Sequence, residues 1–178
     1  KLHVLKENQN QEDFFLKAIE KFIRVGKINT RLIDSIIFSS HTRKFEMPIF
    51  SAKIQSKFNF KNNIICYDLP GSCSGFTNGM IHSYAFLKSK IVNNVLLICA
   101  DAHSKKLEEN LLPVIGDGLS CVLIKRKKNN TQIDFGVDGI NNEILSIDSE
   151  SNKLKMDGIK VFEFAAKRVP ETYYKSIK

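Results

Sequence analysis

A continuous apolar run near the middle of the chain, Asn94-Val-Leu-Leu-Ile-Cys-Ala100, constrains the fold more than any other segment. A strand that is apolar at nearly every position is typical of the interior of a parallel sheet, where both faces are covered. Apolar segments at 33–40 and 63–67 indicate two further strands, and helical patterns separate the three. This alternation of strands and helices predicts an α/β fold.

Three helices are predicted before the central strand. One is capped by Asn10 and ends before Gly26, and Pro48 starts another that runs to about residue 57. The third follows residue 75, and its buried face is predicted to carry Phe76, Met80, Tyr84 and Leu87.

The second half of the chain indicates two more strands, at 119–125 and 131–137, which are predicted to form an antiparallel hairpin. A final helix is predicted from about 158 to 174. The 178 residues contain no internal repeat and no flexible linker, and 43% of them are hydrophobic. A single domain over 1–178 is therefore predicted, with enough apolar side chain for a core.

Cys73 is the candidate nucleophile. It lies in Asp68-Leu-Pro-Gly-Ser-Cys73-Ser-Gly-Phe76, between a predicted strand and a predicted helix. A tight Gly/Ser turn keeps a side chain accessible, and the first helical turn offers N–H groups and a partial positive charge that favour a thiolate. The same N–H groups can stabilise an oxyanion. The alternative, a small buried structural cysteine, fits less well with glycine and serine on both sides.

The other cysteines, Cys66, Cys99 and Cys121, lie in apolar strand-like runs, as free core thiols do. No C-x-x-C spacing occurs among the four, so the sequence predicts neither a disulfide framework nor a metal site.

A formal net charge of +8 favours anionic partners. The densest basic run, 125–128, is interpreted as a solvated turn, because nucleic-acid binding normally brings a recognisable motif or interleaved aromatic residues as well. No apolar run approaches the roughly 20 residues that span a bilayer, and no signal peptide opens the chain. We therefore expect a cytoplasmic protein with no nucleic-acid and no membrane partner.

Four separated motifs are specific when their order and spacing are taken together. They are Cys-Ser-Gly-Phe from Cys73, Val95-Leu-Leu-Ile-Cys-Ala-Asp101, Gly116-Asp117-Gly118, and Met156-Asp-Gly158 followed by Val161-Phe-Glu-Phe-Ala165 and Pro170. With these motifs the sequence resembles β-ketoacyl-acyl-carrier-protein synthase III, a family of thiolase-like condensing enzymes. The similarity extends from Gln11 to Lys178.

The resemblance implies a fold of two related halves, each with a mixed five-stranded sheet flanked by helices, and a homodimer. This chain is similar to the N-terminal half only. No segment resembles the loops of the C-terminal half that carry the family's catalytic His and Asn. The family's first strand, with a Trp and an Arg that grip coenzyme A, is also without a counterpart here.

The resemblance further implies the chemistry of fatty acid biosynthesis. Cys73 would take an acyl group from acyl-coenzyme A and then accept a carbanion formed by decarboxylation of malonyl-acyl-carrier protein, with no permanently bound cofactor. Two alternatives stay open: a Cys-dependent transfer of the acyl group to an alcohol or amine in a specialised pathway, or a non-catalytic half-domain that acts as a partner subunit.

One further position, Met47, matches the family, and the Gly116-Asp117-Gly118 motif has its own interpretation. Met47 corresponds to a residue that lines the acyl pocket across the dimer interface, although a hydrophobic staple for the helix after Pro48 explains it equally well. Gly116-Asp117-Gly118 leads into a predicted strand and not into a helix, so it lacks the geometry of a phosphate loop and is interpreted as a structural turn.

The remaining functional candidates are weaker. His82 is nine residues beyond Cys73, about half a rotation away on a helix, and is predicted to face elsewhere. His41 and His103 each follow a predicted strand and could line a pocket, but are interpreted as ordinary loop residues. Glu108 and Glu109 stand where the family often has an Arg that contacts coenzyme A. A negative charge there would repel phosphate, so both the binding of coenzyme A and its mode stay open.

Overall fold

The computed structural model describes residues 3–43, 47–71, 73–105, 115–127, 133–148, 150–151 and 153–176. Contacts divide the chain into two compact units. The first lies within residues 1–105 and 115–127, and the second within 106–114 and 128–178. The candidate nucleophile and the main sheet both belong to the first unit.

A mixed four-stranded sheet forms the centre of the first unit. Its strands are β1 (Ser35–Ser39), β2 (Ile65–Leu69), β3 (Asn94–Asp101) and β4 (Gly118–Lys125), in the order β2-β1-β3-β4. β1 is parallel to β2 and β3, whereas β4 is antiparallel to β3. The first three strands therefore end at one edge of the sheet, here called the carboxyl edge, and begin at the opposite one, the amino edge.

Three helices cover the two faces of this sheet: α1 (Gln11–Val25), α2 (Phe50–Lys57) and α3 (Gly75–Lys88). Phe15 and Ile19 of α1 and Ile54 of α2 are fully buried in one apolar cluster, and Leu87 of α3 is buried in the other. Asn10 caps α1 as predicted, since its Oδ1 accepts a hydrogen bond from the Glu12 N–H at 2.8 Å.

Helix α2 begins at Phe50, two residues later than Pro48 had suggested. The Asp68 carboxylate, at the end of β2, accepts hydrogen bonds from the Phe50 N–H at 2.7 Å and the Ser51 N–H at 2.9 Å. Because a distant side chain satisfies these first helical donors, tertiary contact and not local sequence determines the first residue of the helix.

The predicted buried face of α3 is wrong for Phe76 and Met80, which are exposed, while Leu87 is buried as expected. The side that meets the sheet consists of small residues followed by a leucine: Gly75, Gly79, Ser83 and Leu87. A side chain at Gly79 would collide with Leu97 of β3. The helix lies close to the sheet because these positions are small, and the large apolar residues are left on its outer side.

The second unit contains β5 (Leu145–Ile147) paired antiparallel with β6 (Leu154–Met156), and the helix α4 (Gly158–Ser176), which confirms the predicted final helix. The strand predicted at 131–137 is wrong for residues 133–137, which form no strand, and 131–132 lie outside the described residues. Phe135 and Val137 are exposed and have no sheet to pack on. The described sheet consequently has four strands instead of five.

In the part of the chain that the structure describes, no helix combines the length and the apolar character needed to cross a bilayer.

Candidate active site

Cys73 lies in the turn between β2 and α3, as predicted. β2 ends at Leu69, α3 begins at Gly75, and Ser74 occupies the N-cap position. The Ser74 carbonyl accepts a hydrogen bond from the Asn78 N–H at 2.9 Å, which closes the first turn of the helix. Cys73 is exposed at this helix end. The arrangement gives a thiol both access to solvent and the positive end of a helix.

Two glycines hold the Cys73 turn against the sheet. A Cβ atom at Gly71 would lie 2.7 Å from the Gly75 Cα atom and 3.0 Å from the Ser39 Oγ atom, and a Cβ atom at Gly75 would collide with the same hydroxyl. Neither glycine has a left-handed backbone, so space alone requires them. The close approach fixes where the Cys73 turn stands relative to the end of β1.

The other three thiols are partly buried, whereas Cys73 is exposed. Burial raises the pKa of Cys66, and the nearby Asp68 carboxylate raises it further. Burial, and then Asp101, raise the pKa of Cys99 to about 11. Burial, and then Cys99, raise that of Cys121 to about 12. A thiol held protonated in this way is a poor nucleophile at neutral pH.

We expect iodoacetamide to alkylate Cys73 in the native protein and to spare Cys99 and Cys121. At pH 8 a thiol with a pKa near 11 is thiolate for about one molecule in a thousand. Peptide mass spectrometry after timed exposure measures the sites, and a denatured sample serves as the control in which all four react. Equal labelling of Cys73 and Cys99 in the native protein would contradict the assignment.

The structure brings His41 and His103 together at the carboxyl edge. Their rings stack with centroids 6.4 Å apart and planes at 19°. Asp101 organises this cluster, because its Oδ1 accepts hydrogen bonds from the His41 N–H at 2.8 Å and the Thr42 N–H at 3.0 Å, and its Oδ2 lies 3.7 Å from His103 Nε2. The sequence-based prediction considers each histidine by itself and does not pair them. The signal that pairs them is that each follows one of two adjacent parallel strands.

The His82 side chain forms a hydrogen bond within its own helix, α3. Its Nδ1 lies 2.8 Å from the Asn78 carbonyl oxygen, and because a carbonyl only accepts, Nδ1 carries the proton of this hydrogen bond. The ring also lies 5.6 Å from that of Tyr67 on β2. That His82 does not serve Cys73 stays a prediction.

Asp117, between Gly116 and Gly118, connects two other segments of the chain to the start of β4 through hydrogen bonds. Its carboxylate accepts hydrogen bonds from the Leu5 N–H at 2.7 Å and the Ser104 N–H at 2.9 Å. Gly118 has open space around it and no left-handed backbone. These contacts favour the structural role that was predicted for the motif.

Met47 is 89% exposed in this chain, which leaves no packing for a hydrophobic staple. Its role in an acyl pocket stays a prediction.

Glu108 and Glu109 lie outside the described residues. Among the described His, Cys, Asp and Glu residues, no group of three or more is arranged to hold a metal ion.

The backbone fold of this chain is shared with solved thiolase-like condensing enzymes. A solved 3-oxoacyl-(acyl-carrier-protein) synthase III superposes with a TM-score of 0.88 at 19% identity, covering 98% of this chain and 60% of that one. The synthase III of Aquifex aeolicus VF5 gives 0.85 at 22% identity, covering 97% and 57%. At these identities the structures establish the fold.

Within that class the sequence is similar to β-ketoacyl-acyl-carrier-protein synthase III. The family model described as 3-oxoacyl-[acyl-carrier-protein (ACP)] synthase III matches residues 67–139, a segment that includes Cys73. The β-ketoacyl-[acyl-carrier-protein] synthase III of Staphylococcus aureus strain Newman is 28% identical over 171 residues, covering 93% of this chain. The alignment spans 54% of the Staphylococcus protein, so the chain corresponds to about half of its relative. The resemblance inferred from the four motifs is thereby confirmed.

Proposed function

We propose that Cys73 accepts an acyl group from acyl-coenzyme A as the first step of a decarboxylative condensation of the synthase III type. The observation that carries this proposal is the exposed Cys73 thiol at the N-terminus of α3, in a turn that Gly71 and Gly75 hold against β1. Cysteine is already a strong nucleophile, and a helix N-terminus favours its thiolate.

In the first step the Cys73 sulfur attacks the thioester carbonyl carbon, and a carbon–sulfur bond forms. N–H groups at the start of α3 stabilise the resulting oxyanion, as donors aimed at developing charge do. The bond to the coenzyme A sulfur then breaks, and the proton that left Cys73 ends on that sulfur. In the second step a carbanion, formed as malonyl-acyl-carrier protein loses carbon dioxide, attacks the Cys73 thioester and releases the thiolate.

We further propose that the condensation step requires a second half with His and Asn, and that the assembled enzyme is a homodimer. Two observations support this. The chain spans about half the length of its relatives. The edge strand β2 and the helix α3, which precede and follow the Cys73 turn, also expose the apolar side chains of Tyr67, Phe76 and Met80. Exposed apolar residues grouped in this way favour burial against another protein surface.

Incubation with radiolabelled acyl-coenzyme A tests the proposal. We expect a hydroxylamine-sensitive label on the peptide that contains Cys73, in the chain alone or supplemented with the C-terminal half of the Staphylococcus aureus relative. Cys73→Ala should carry no label, whereas Cys66→Ala, a matched loss of one thiol, should label normally. A label that persists in Cys73→Ala overturns the site, and no label in either preparation overturns acyl transfer altogether.

A further inference from the structure

All four strands have one terminus at the amino edge of the sheet, which lies opposite the Cys73 turn. Ser35 is in register with Ile65 and with Val95, and Asn94 with Lys125, so β1, β2 and β3 begin where β4 ends. The Arg126 N–H continues this alignment by donating to the Asn93 carbonyl at 3.0 Å. Side chains in the connections at this edge therefore share one end of the first unit.

Part of the positive charge at the amino edge has a structural explanation. Helices α1, α2 and α3 each lead into a strand that begins here, and their last turns carry Arg24, Lys57 and Lys88. A cation near a helix C-terminus interacts favourably with the partial negative charge of the helix dipole. The helix dipole therefore explains these three cations without a bound anionic partner.

Six more exposed cations lie at the same edge and have no such explanation. They belong to connections between helix and strand or to the end of β4, and none forms an ion pair with a described residue: Lys27, Arg31, Lys90, Lys125, Arg126 and Lys127. Placing this many like charges together costs electrostatic energy, which a bound polyanion would relieve.

Carboxylates do little to offset these cations. Asp34 stands at the amino edge, but it already binds the Lys61 ammonium at 2.5 Å and accepts hydrogen bonds from the Asn93 N–H at 2.8 Å and the Asn94 N–H at 3.0 Å. Asp68 and Asp101 lie at the ends of β2 and β3, on the carboxyl edge. The two carboxylates at these strand ends therefore lie at the edge opposite the cations.

Exposed aliphatic side chains lie among the cations. Val25 is 70% exposed, Leu32 62% and Ile91 64%. Each is adjacent in sequence to a basic residue, because Val25 follows Arg24, Leu32 follows Arg31 and Ile91 follows Lys90. Single exposed aliphatic residues are ordinary, but three at one edge, each beside a cation, form a mixed basic and apolar surface.

We propose that the amino edge docks on the surface of a bilayer that contains anionic phospholipids. The basic side chains would face the headgroup phosphates, while Val25, Leu32 and Ile91 would enter the boundary between headgroups and acyl chains. The pattern favours lipid over nucleic acid, because bases stack on aromatic side chains and the exposed apolar residues here are aliphatic. Docking in this orientation leaves Cys73 on the side away from the membrane.

This proposal departs from the expectation of no membrane partner, which rested on the lack of an apolar run long enough to span a bilayer. Peripheral docking needs no such run, since cations at the surface and a few inserted aliphatic side chains supply the attraction. The proposal is also independent of the chemistry at Cys73.

Flotation of the chain with vesicles tests the docking. We expect binding to vesicles of equal parts phosphatidylcholine and phosphatidylglycerol and none to phosphatidylcholine alone. The triple variant K125E/R126E/K127E should bind about a hundredfold more weakly, since each basic residue near an anionic surface contributes substantially. A second variant, L32S/I91S, keeps the charge and should also bind measurably more weakly, because it removes the aliphatic contacts.

The matched control is K6E/K17E/K53E, which changes the net charge by the same amount at exposed lysines of the first unit that lie outside the connections of the amino edge. It should keep most of the binding, and far-ultraviolet circular dichroism should show all variants folded. Equal losses in both triple variants would overturn a localised site. Binding that is unaffected by L32S/I91S and is equally strong to double-stranded DNA would overturn the lipid assignment in favour of a general polyanion.

Discussion

Asp68→Ala is expected to lower the free energy of unfolding by about 3–5 kcal/mol, the cost of breaking a buried charge pair from one side. The Asp68 side chain is 2% exposed and accepts hydrogen bonds from the Phe50 and Ser51 N–H groups and from the Arg43 guanidinium at 3.2 Å. Its removal leaves the first donors of α2 and a partly buried cation without this acceptor. Guanidinium chloride denaturation followed by circular dichroism measures the loss.

Two variants sharpen this experiment. Asp68→Asn keeps one acceptor oxygen and should lose less stability than the alanine variant, which separates loss of hydrogen bonding from loss of volume. Glu171→Ala removes a carboxylate from the exposed pair with Arg168, 3.0 Å apart, and should change stability by less than about 1 kcal/mol. A loss in Asp68→Ala no greater than in Glu171→Ala would contradict the role given to Asp68.

Local pattern was enough to predict most elements of the first unit. The cap and periodicity of α1, the apolar run of β3 and the Gly/Ser turn at Cys73 are encoded within a few neighbouring residues. Cys73 is recognisable as the candidate nucleophile for the same reason, because a strand, a tight turn and a helix N-terminus are consecutive in the chain. An exposed thiol in that context needs no distant residue to be recognised.

Features that depend on tertiary contact were missed. The start of α2 is determined by Asp68, and the buried face of α3 by the space beside Ser39 and Leu97. Apolar periodicity favoured Phe76 and Met80, but a helix that packs closely on a sheet does so through small residues. The pairing of His41 with His103 and the concentration of charge at the amino edge likewise follow from strand register, which a single sequence does not display.

Gly71→Ala is expected to slow acylation of Cys73 by about a hundredfold, since a displacement near 1 Å of a reacting group can cost that much. The new Cβ atom would lie 2.7 Å from the Gly75 Cα atom, so the Cys73 turn or the start of α3 must shift. The same overlap should lower the free energy of unfolding by about 1–3 kcal/mol. Alkylation by iodoacetamide, which needs only an exposed thiol, should change far less than acylation by acyl-coenzyme A.

Gly118→Ala is the matched control, because a Cβ atom there meets nothing within 4 Å and its backbone is not left-handed. That substitution should leave acylation unchanged and raise stability slightly, by about 0.4–1 kcal/mol, through a less flexible unfolded chain. The comparison therefore separates the effect of a glycine that makes room for the start of α3, Gly71, from that of a glycine that does not, Gly118. If Gly71→Ala slowed acylation and alkylation equally, loss of access would explain the defect, and the proposed positioning of the turn by Gly71 would be wrong.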